Sequence, residues 1–176
     1  MSALSRQEVH TEMQHAQETF HALLSQASPA DLRRVSRGTR WTNEQLLFHM
    51  LFGYLIVRAL LVLVKLVSRL PGSVGRGFAR LLNSASTPFN AVNYWGSCAA
   101  AKVFGHQRMG RTFDQVIASL HRHLDAETDT ALARGMRFPT RWDPFFTDVM
   151  TLTDVYHYAT QHFDFHRRQL TLDPSD

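Results

Sequence analysis

The chain has 176 residues, 44% hydrophobic and 19% charged, which suits one domain with a real core and excludes a disordered polypeptide. The formal charge of +4 is small for this length. Basic residues are scattered, and the densest group (Arg33, Arg34, Arg37, Arg40) has no interleaved aromatics, so a nucleic-acid partner is not expected.

Arg6 to Gln26 predicts a first helix. Val9, Met13, Ala16, Phe20, Leu23 and Leu24 recur on one stripe. Ser28-Pro29-Ala30-Asp31 breaks it, and Arg33 to Thr39 reads as a polar connection. Thr42 with Gln45 three residues on predicts the capped start of a second helix, which ends before Pro71-Gly72. Its stretch Leu46–Val67 approaches the length of a membrane span. Arg58 near its middle makes a buried soluble helix the better reading and leaves peripheral membrane contact open. Pro71 to Gly110 shows no dominant period and predicts an irregular, partly helical insertion, with short helices near Gly77–Leu82 and Ala91–Val103. Thr112 with Gln115 predicts the cap of a third helix, burying Phe113, Val116, Ile117, Leu120 and Leu124. Gly135 to Asp148 reads as a loop. Thr153 predicts the cap of a last helix that ends at Gln169 or Leu170. Strand signals are nearly absent, so the expected fold is an all-α four-helix bundle spanning residues 1–176.

Three histidines point into that bundle. On the last helix His162 and His166 lie about 40° apart, with Val155, Ala159, Tyr158 and Gln169 on their side, while Asp164, Arg167, Arg168 and His157 lie opposite. On the second helix His49 shares its side with Gly53, Ile56, Leu60, Leu63 and Val67, opposite Arg58, Lys65 and Arg69. One inward histidine is usually a satisfied core residue. Three, two of them at i, i+4 spacing, read as ligands of one divalent metal, zinc or nickel. The other seven histidines read as solvated or edge-lying. Gln45, Tyr158 and Gln169 face the same way, as groups that orient ligands or contact a bound cosubstrate. Trp41, Trp95 and Trp142 are candidate pocket walls.

Trp41-Thr-x-x-x-x-x-x-His49, Met150-Thr-Leu-Thr-Asp-Val155 and His162-x-x-x-His166-Arg-Arg-Gln169-Leu170 resemble the DinB/YfiT-like family of metal-dependent hydrolases and thiol transferases. The resemblance covers the four-helix frame. It implies a metal held by one residue of the second helix and two of the last, at His49, His162 and His166. Relatives such as the mycothiol-dependent maleylpyruvate isomerase domain carry Glu at the first of the two last-helix positions. His162 stands there, so that activity does not carry over.

Three neutral ligands leave a Lewis-acidic centre. The resemblance implies transfer of a low-molecular-weight thiol to a small electrophile as the favoured expectation, and the lack of a candidate protein nucleophile beyond Cys98 agrees with it. Hydrolysis by metal-bound hydroxide is the alternative, weakened because no inward Asp or Glu stands out as a base. A non-catalytic metal- or ligand-binding bundle is the third. The ligand expected is a small molecule, and a homodimer is left open. One cysteine and no apolar leader at Met1–Glu8 fit a reducing cytoplasm. Pro71–Gly110 is expected to cover the open side of the metal or to form a partner surface.

Overall fold

The computed structural model describes residues 4–69 and 71–172; the side chains of residues 72–74 and 106 also fall outside the description, and with them the expectation that His106 is solvated. Among the described residues, seven helices and one small hairpin follow in order. They are α1 (Arg6–Gln26), α2 (Pro29–Arg33), α3 (Asn43–Val67), α4 (Gly72–Ser84), α5 (Ser86–Ala126), α6 (Asp129–Leu132), β1 (Gly135–Arg137), β2 (Val149–Thr151) and α7 (Leu152–Arg167).

The caps explain the starts. Ser5, Ser28, Thr42 and Thr151 each accept the backbone N–H three residues on, while Glu8, Asp31, Gln45 and Asp154 return the bond to the cap's own N–H. α7 is therefore capped by Thr151 rather than by the expected Thr153. The polar connection after α2 is clamped to the segment that follows α7. Asn43, fully buried, donates to Asp31 O at 2.8 Å and accepts from Thr171 N at 3.1 Å, and Arg37 N donates to Gln169 O at 2.7 Å.

α3 is the central helix, packed on α5 and α7, with α1 closing against both. The core meets at four aromatics, one from each helix. Phe20 stacks on Phe113 with ring centroids 4.4 Å apart, Tyr54 meets Phe113 edge-on at 5.0 Å, and Phe163 lies 5.9 Å from Phe113. Each such buried ring contributes about 2–3 kcal/mol. Tyr54 keeps a partner for its hydroxyl in Thr160, 3.1 Å away. α3 is also long and apolar enough to cross a membrane by length and composition. Its buried residues run from Asn43 to Val64 and pack into the bundle, as a core helix does.

The middle section is more regular than expected. Residues 72–84 are α4, and α5 runs through Thr112, which caps nothing because helix already precedes it. The single break is Gly105, at φ +59°, ψ 158°, a conformation that a Cβ would strain. Before Gly105 the helix is an arm that buries only a narrow face, including Ser97 and Ala101, and leaves Val92, Trp95 and Val103 exposed. Apolar residues on both sides of the arm hide its period. β1 and β2 pair antiparallel, Met136 opposite Met150, both buried. The hairpin brings the 138–148 loop back over the bundle end that holds the histidines.

Candidate metal centre

His49 comes from α3, and His162 and His166 from successive turns of α7. All three are buried. Their ring centroids lie 4.5 to 4.9 Å apart. One candidate ligand atom from each falls within 4.8 Å of the others.

Every Nδ1 has a partner outside the triad. His49 Nδ1 meets Ser97 Oγ at 3.2 Å, His162 Nδ1 meets Asp143 Oδ2 at 3.1 Å, and His166 Nδ1 meets Gln169 Oε1 at 2.7 Å. Asp143 and Gln169 Oε1 can only accept, so those two Nδ1 atoms carry the proton and leave Nε2 as a bare lone pair. Outer-sphere acceptors of this kind fix the tautomer that a metal needs. Among the described residues, His162 Nε2 is buried with no hydrogen-bond partner. An orphaned buried acceptor costs about 1–3 kcal/mol, and a divalent cation shared by the three rings would satisfy it. The donor set therefore fits a metal.

The electrostatics agree. Burial, together with the neighbouring His162 and His166, holds His49 well below the usual imidazole range. Burial and His162 lower His166 to about 4, against a smaller opposing effect of Gln169 and Asp143. Both are thus neutral at pH 7 and ready to bind without losing a proton. For the metal-free protein the sign follows. A folded value near 4 against 6.5 unfolded means that the unfolded chain binds protons first, so stability is full above pH 6.5 and is lost as pH falls toward 4. The loss for His166 is on the order of 3 kcal/mol. Denaturant titrations across that window should show a slope that flattens in His166→Gln; an unchanged slope would refute the assignment.

Asp143 went unseen in the sequence. It sits in the loop after β1, largely buried, and accepts from Tyr158 Oη at 3.0 Å as well as from His162. Burial raises its pKa, but His162, the Phe145 N–H and the Tyr158 hydroxyl outweigh that and keep it an anion. Burial and Asp143 together push Tyr158 well above its usual value, so the phenol stays a donor. The loop is pinned by its neighbours. Trp142 stacks on Phe89 at 3.9 Å and donates its indole N–H to Leu82 O at 2.7 Å, and Arg141 N donates to Asn83 Oδ1 at 3.1 Å. Asp143→Asn keeps the shape and removes the charge. Divalent-metal affinity should fall at least about tenfold in competition titrations against a chelator; wild-type affinity would show that Asp143 does not support the ligand.

The remaining expected residues divide. Gln169 supports His166, and Tyr158 acts through Asp143. Gln45 does neither: its Oε1 accepts from Thr42 N at 3.0 Å in the cap of α3, so its inward direction on the helical wheel serves the helix start. Trp41 stacks on His49 at 4.4 Å, Trp142 walls the cavity, and Trp95 points to solvent. Ile56 and Leu60 line the cavity, while Val155 and Phe163 belong to the core behind it. Cys98 is half-buried on α5 and outside the lining. His157 is tied to Glu12 at 2.9 Å, His21 to Asp114 at 2.6 Å, and His10 to Asp125 at 2.8 Å, so these edge histidines are cross-helix links rather than ligands of this centre.

A cavity of about 160 Å³ adjoins His49 and His162. Its walls are apolar, from Phe52 to Leu63 on α3, Phe78 and Leu82 on α4, Phe89 on α5 and the 138–146 loop, with Asp143 and Tyr158 at the histidine end. Asn93 also lines it, with Oδ1 buried and without a hydrogen-bond partner among the described residues. The 71–110 section thus supplies the cavity's far walls and, through Ser97, a support for His49. Among curated proteins and among solved structures, none matches the chain. The buried three-histidine group at the meeting of α3 and α7, on a helical frame, agrees with what a family comparison returns: the model of the DinB superfamily matches residues 12–170, and the chain belongs to that superfamily.

Proposed function

We propose that the protein is a metal-dependent enzyme that transfers a low-molecular-weight thiol to a small, largely apolar electrophile. The observation that carries this reading is the cavity beside His49 and His162, whose lining, among the described residues, holds no Ser, Thr, Cys or Lys. Asp143 is engaged by His162 and Tyr158, and in this reading the nucleophile is a thiol brought from outside the protein. A bound divalent metal, zinc or nickel, would supply Lewis acidity and favour the ionised form of a thiol. His49, His162 and His166 would hold it. Asp143 keeps the proton on His162 Nδ1 and so keeps Nε2 available. Phe78, Leu82, Phe89 and Trp142 exclude water, which strengthens charge interactions inside. Asn93 Oδ1 would accept a hydrogen bond from an N–H or O–H of the substrate. The volume is close to that of cavities that accept one benzene-sized body, so a single ring or a short chain fits. A reducing cytoplasm, where free thiols are abundant, is the compartment this chemistry needs.

The test incubates metal-loaded protein with mycothiol, bacillithiol or glutathione and an aromatic electrophile, and follows the adduct by mass spectrometry. Metal-dependent adduct formation is expected, and Cys98→Ser should retain it. Asp143 gives hydrolysis a specific second claim, because a carboxylate beside a ligand histidine can take a proton from water. Thiol-independent turnover of an ester or amide, lost in Asp143→Asn with metal retained, would favour that reading over thiol transfer.

A further inference from the structure

The basic residues are scattered, but the acidic ones are not. Eight of the 19 Lys and Arg lie between residues 45 and 113, and none of the 15 Asp and Glu does. That stretch carries +8, while the eleven basic and fifteen acidic residues elsewhere net −4. It comprises nearly all of α3, all of α4, and α5 as far as Phe113. Lys65 is neutralised by Glu127, which lies just beyond the C-terminal end of α5. Arg58, Arg69, Arg76, Arg80 and Lys102 are exposed, and among the described residues none of them meets a carboxylate.

The same helices expose apolar side chains. Val62 and Leu66 on α3, Leu81 on α4, and Val92, Trp95 and Val103 on α5 are 58 to 72% exposed. They fall on stripes. Ala59, Val62 and Leu66 share one outer face of α3, and Val92, Trp95, Ala99 and Val103 recur on the outer face of the arm. α4 turns Phe78 and Leu82 into the cavity, while Arg76, Arg80 and Leu81 stay outside. All three helices wall that cavity, and each carries these residues on a side turned away from it.

A solvated helical face mixes charges of both signs. This one combines bare aliphatic and indole groups with cations alone. We propose that the outer face of α3, α4 and the α5 arm docks on a membrane surface containing anionic lipid. The apolar side chains enter the headgroup–acyl boundary while the arginines, on their flexible stems, stay level with the phosphates. Charge selects this occupant. In a symmetric dimer through the same face the cations of both copies would oppose one another. A nucleic acid would pair with the cations but leave Val62, Leu66 and Val92 against water. The cavity would then lie beside the bilayer, within reach of apolar molecules dissolved in it. The inference stands apart from the metal-centre reading, since neither the charges nor the stripes belong to that centre.

The experiment is flotation of the full-length protein with vesicles of phosphatidylcholine alone, or of phosphatidylcholine containing phosphatidylglycerol. Binding to the anionic vesicles is expected, with weakening by salt and a blue shift of tryptophan emission that Trp95→Phe abolishes. Arg76→Gln/Arg80→Gln should weaken binding about thirtyfold, from about 1 kcal/mol per basic residue near such a surface. Val62→Ser/Leu66→Ser should weaken it on the apolar side. All four positions are exposed, and circular dichroism checks that the variants fold; Lys102→Gln on another helix gives a separate test of the charge. Absence of binding to anionic vesicles at low salt would overturn the proposal, as would equal binding to neutral vesicles or undiminished binding of the arginine variant. A dimer lost in Val62→Ser/Leu66→Ser without vesicle binding would reassign the face to a second copy. A salt-sensitive complex with duplex DNA but none with vesicles would reassign it to nucleic acid.

Discussion

Purified protein should contain divalent metal in stoichiometric amount, and His162→Ala/His166→Ala should contain none. The two rings sit on successive turns of α7 and face His49 across the α3–α7 contact. Removing both leaves a single imidazole, which cannot hold zinc against water and buffer. Metal binding should also show in stability. A ligand at a thousand times its Kd adds about 4 kcal/mol to the folded state, which for a chain of this size raises Tm by roughly 10 °C. Wild-type protein should lose that increment when stripped with a chelator, and the double variant should have none to lose. His157→Ala is the control. It loses the contact to Glu12 and should keep full metal content. Full occupancy in the double variant would place the metal elsewhere.

The frame and the triad were legible because each rests on local pattern. The stripes of α1 and α3 and the i, i+4 pair on α7 are periodic, and Thr42 with Gln45 is a cap written in four residues. What escaped reading depends on tertiary placement. Ser97 lies on an arm that buries one narrow face, so its neighbours show no period. Asp143 sits in a loop whose residues carry no helical or strand register. The return of the chain through the β1–β2 hairpin is what sets it beside His162, and the pinning of Trp142 against α4 and α5 is what holds it there. Gln45 shows the converse. The wheel turned it toward the histidines, but the cap of α3 has the stronger claim on its side chain. The charge separation was visible in the composition along the chain, yet it became a surface only once the arm left Val92 and Trp95 uncovered.

Gly53→Ala should damage the metal centre from outside the ligand set. Gly53 lies one turn after His49 on α3, facing α7. A Cβ there would stand 2.7 Å from His162 Cδ2 and 3.3 Å from Nε2, closer than unbonded carbons approach. The ring has little room to retreat. His49 and His166 flank it, with centroids 4.9 and 4.5 Å away, and Asp143 holds Nδ1. Two effects oppose one another in stability. Alanine favours the helix by about 1 kcal/mol, and overpacking costs about 1–3 kcal/mol, so the net loss of stability is modest. Metal affinity has no compensating gain, because the displaced atom is the ligand itself, and a drop of about ten- to a hundredfold is expected. Gly96→Ala supplies the contrast. An added Cβ at Gly96 meets nothing within 4 Å, so that variant should gain about 0.4–1 kcal/mol and bind metal as wild type does. Chelator competition with denaturant unfolding on both variants separates packing from ligation. Wild-type affinity in Gly53→Ala would mean that His162 is not a ligand, whatever the change in stability.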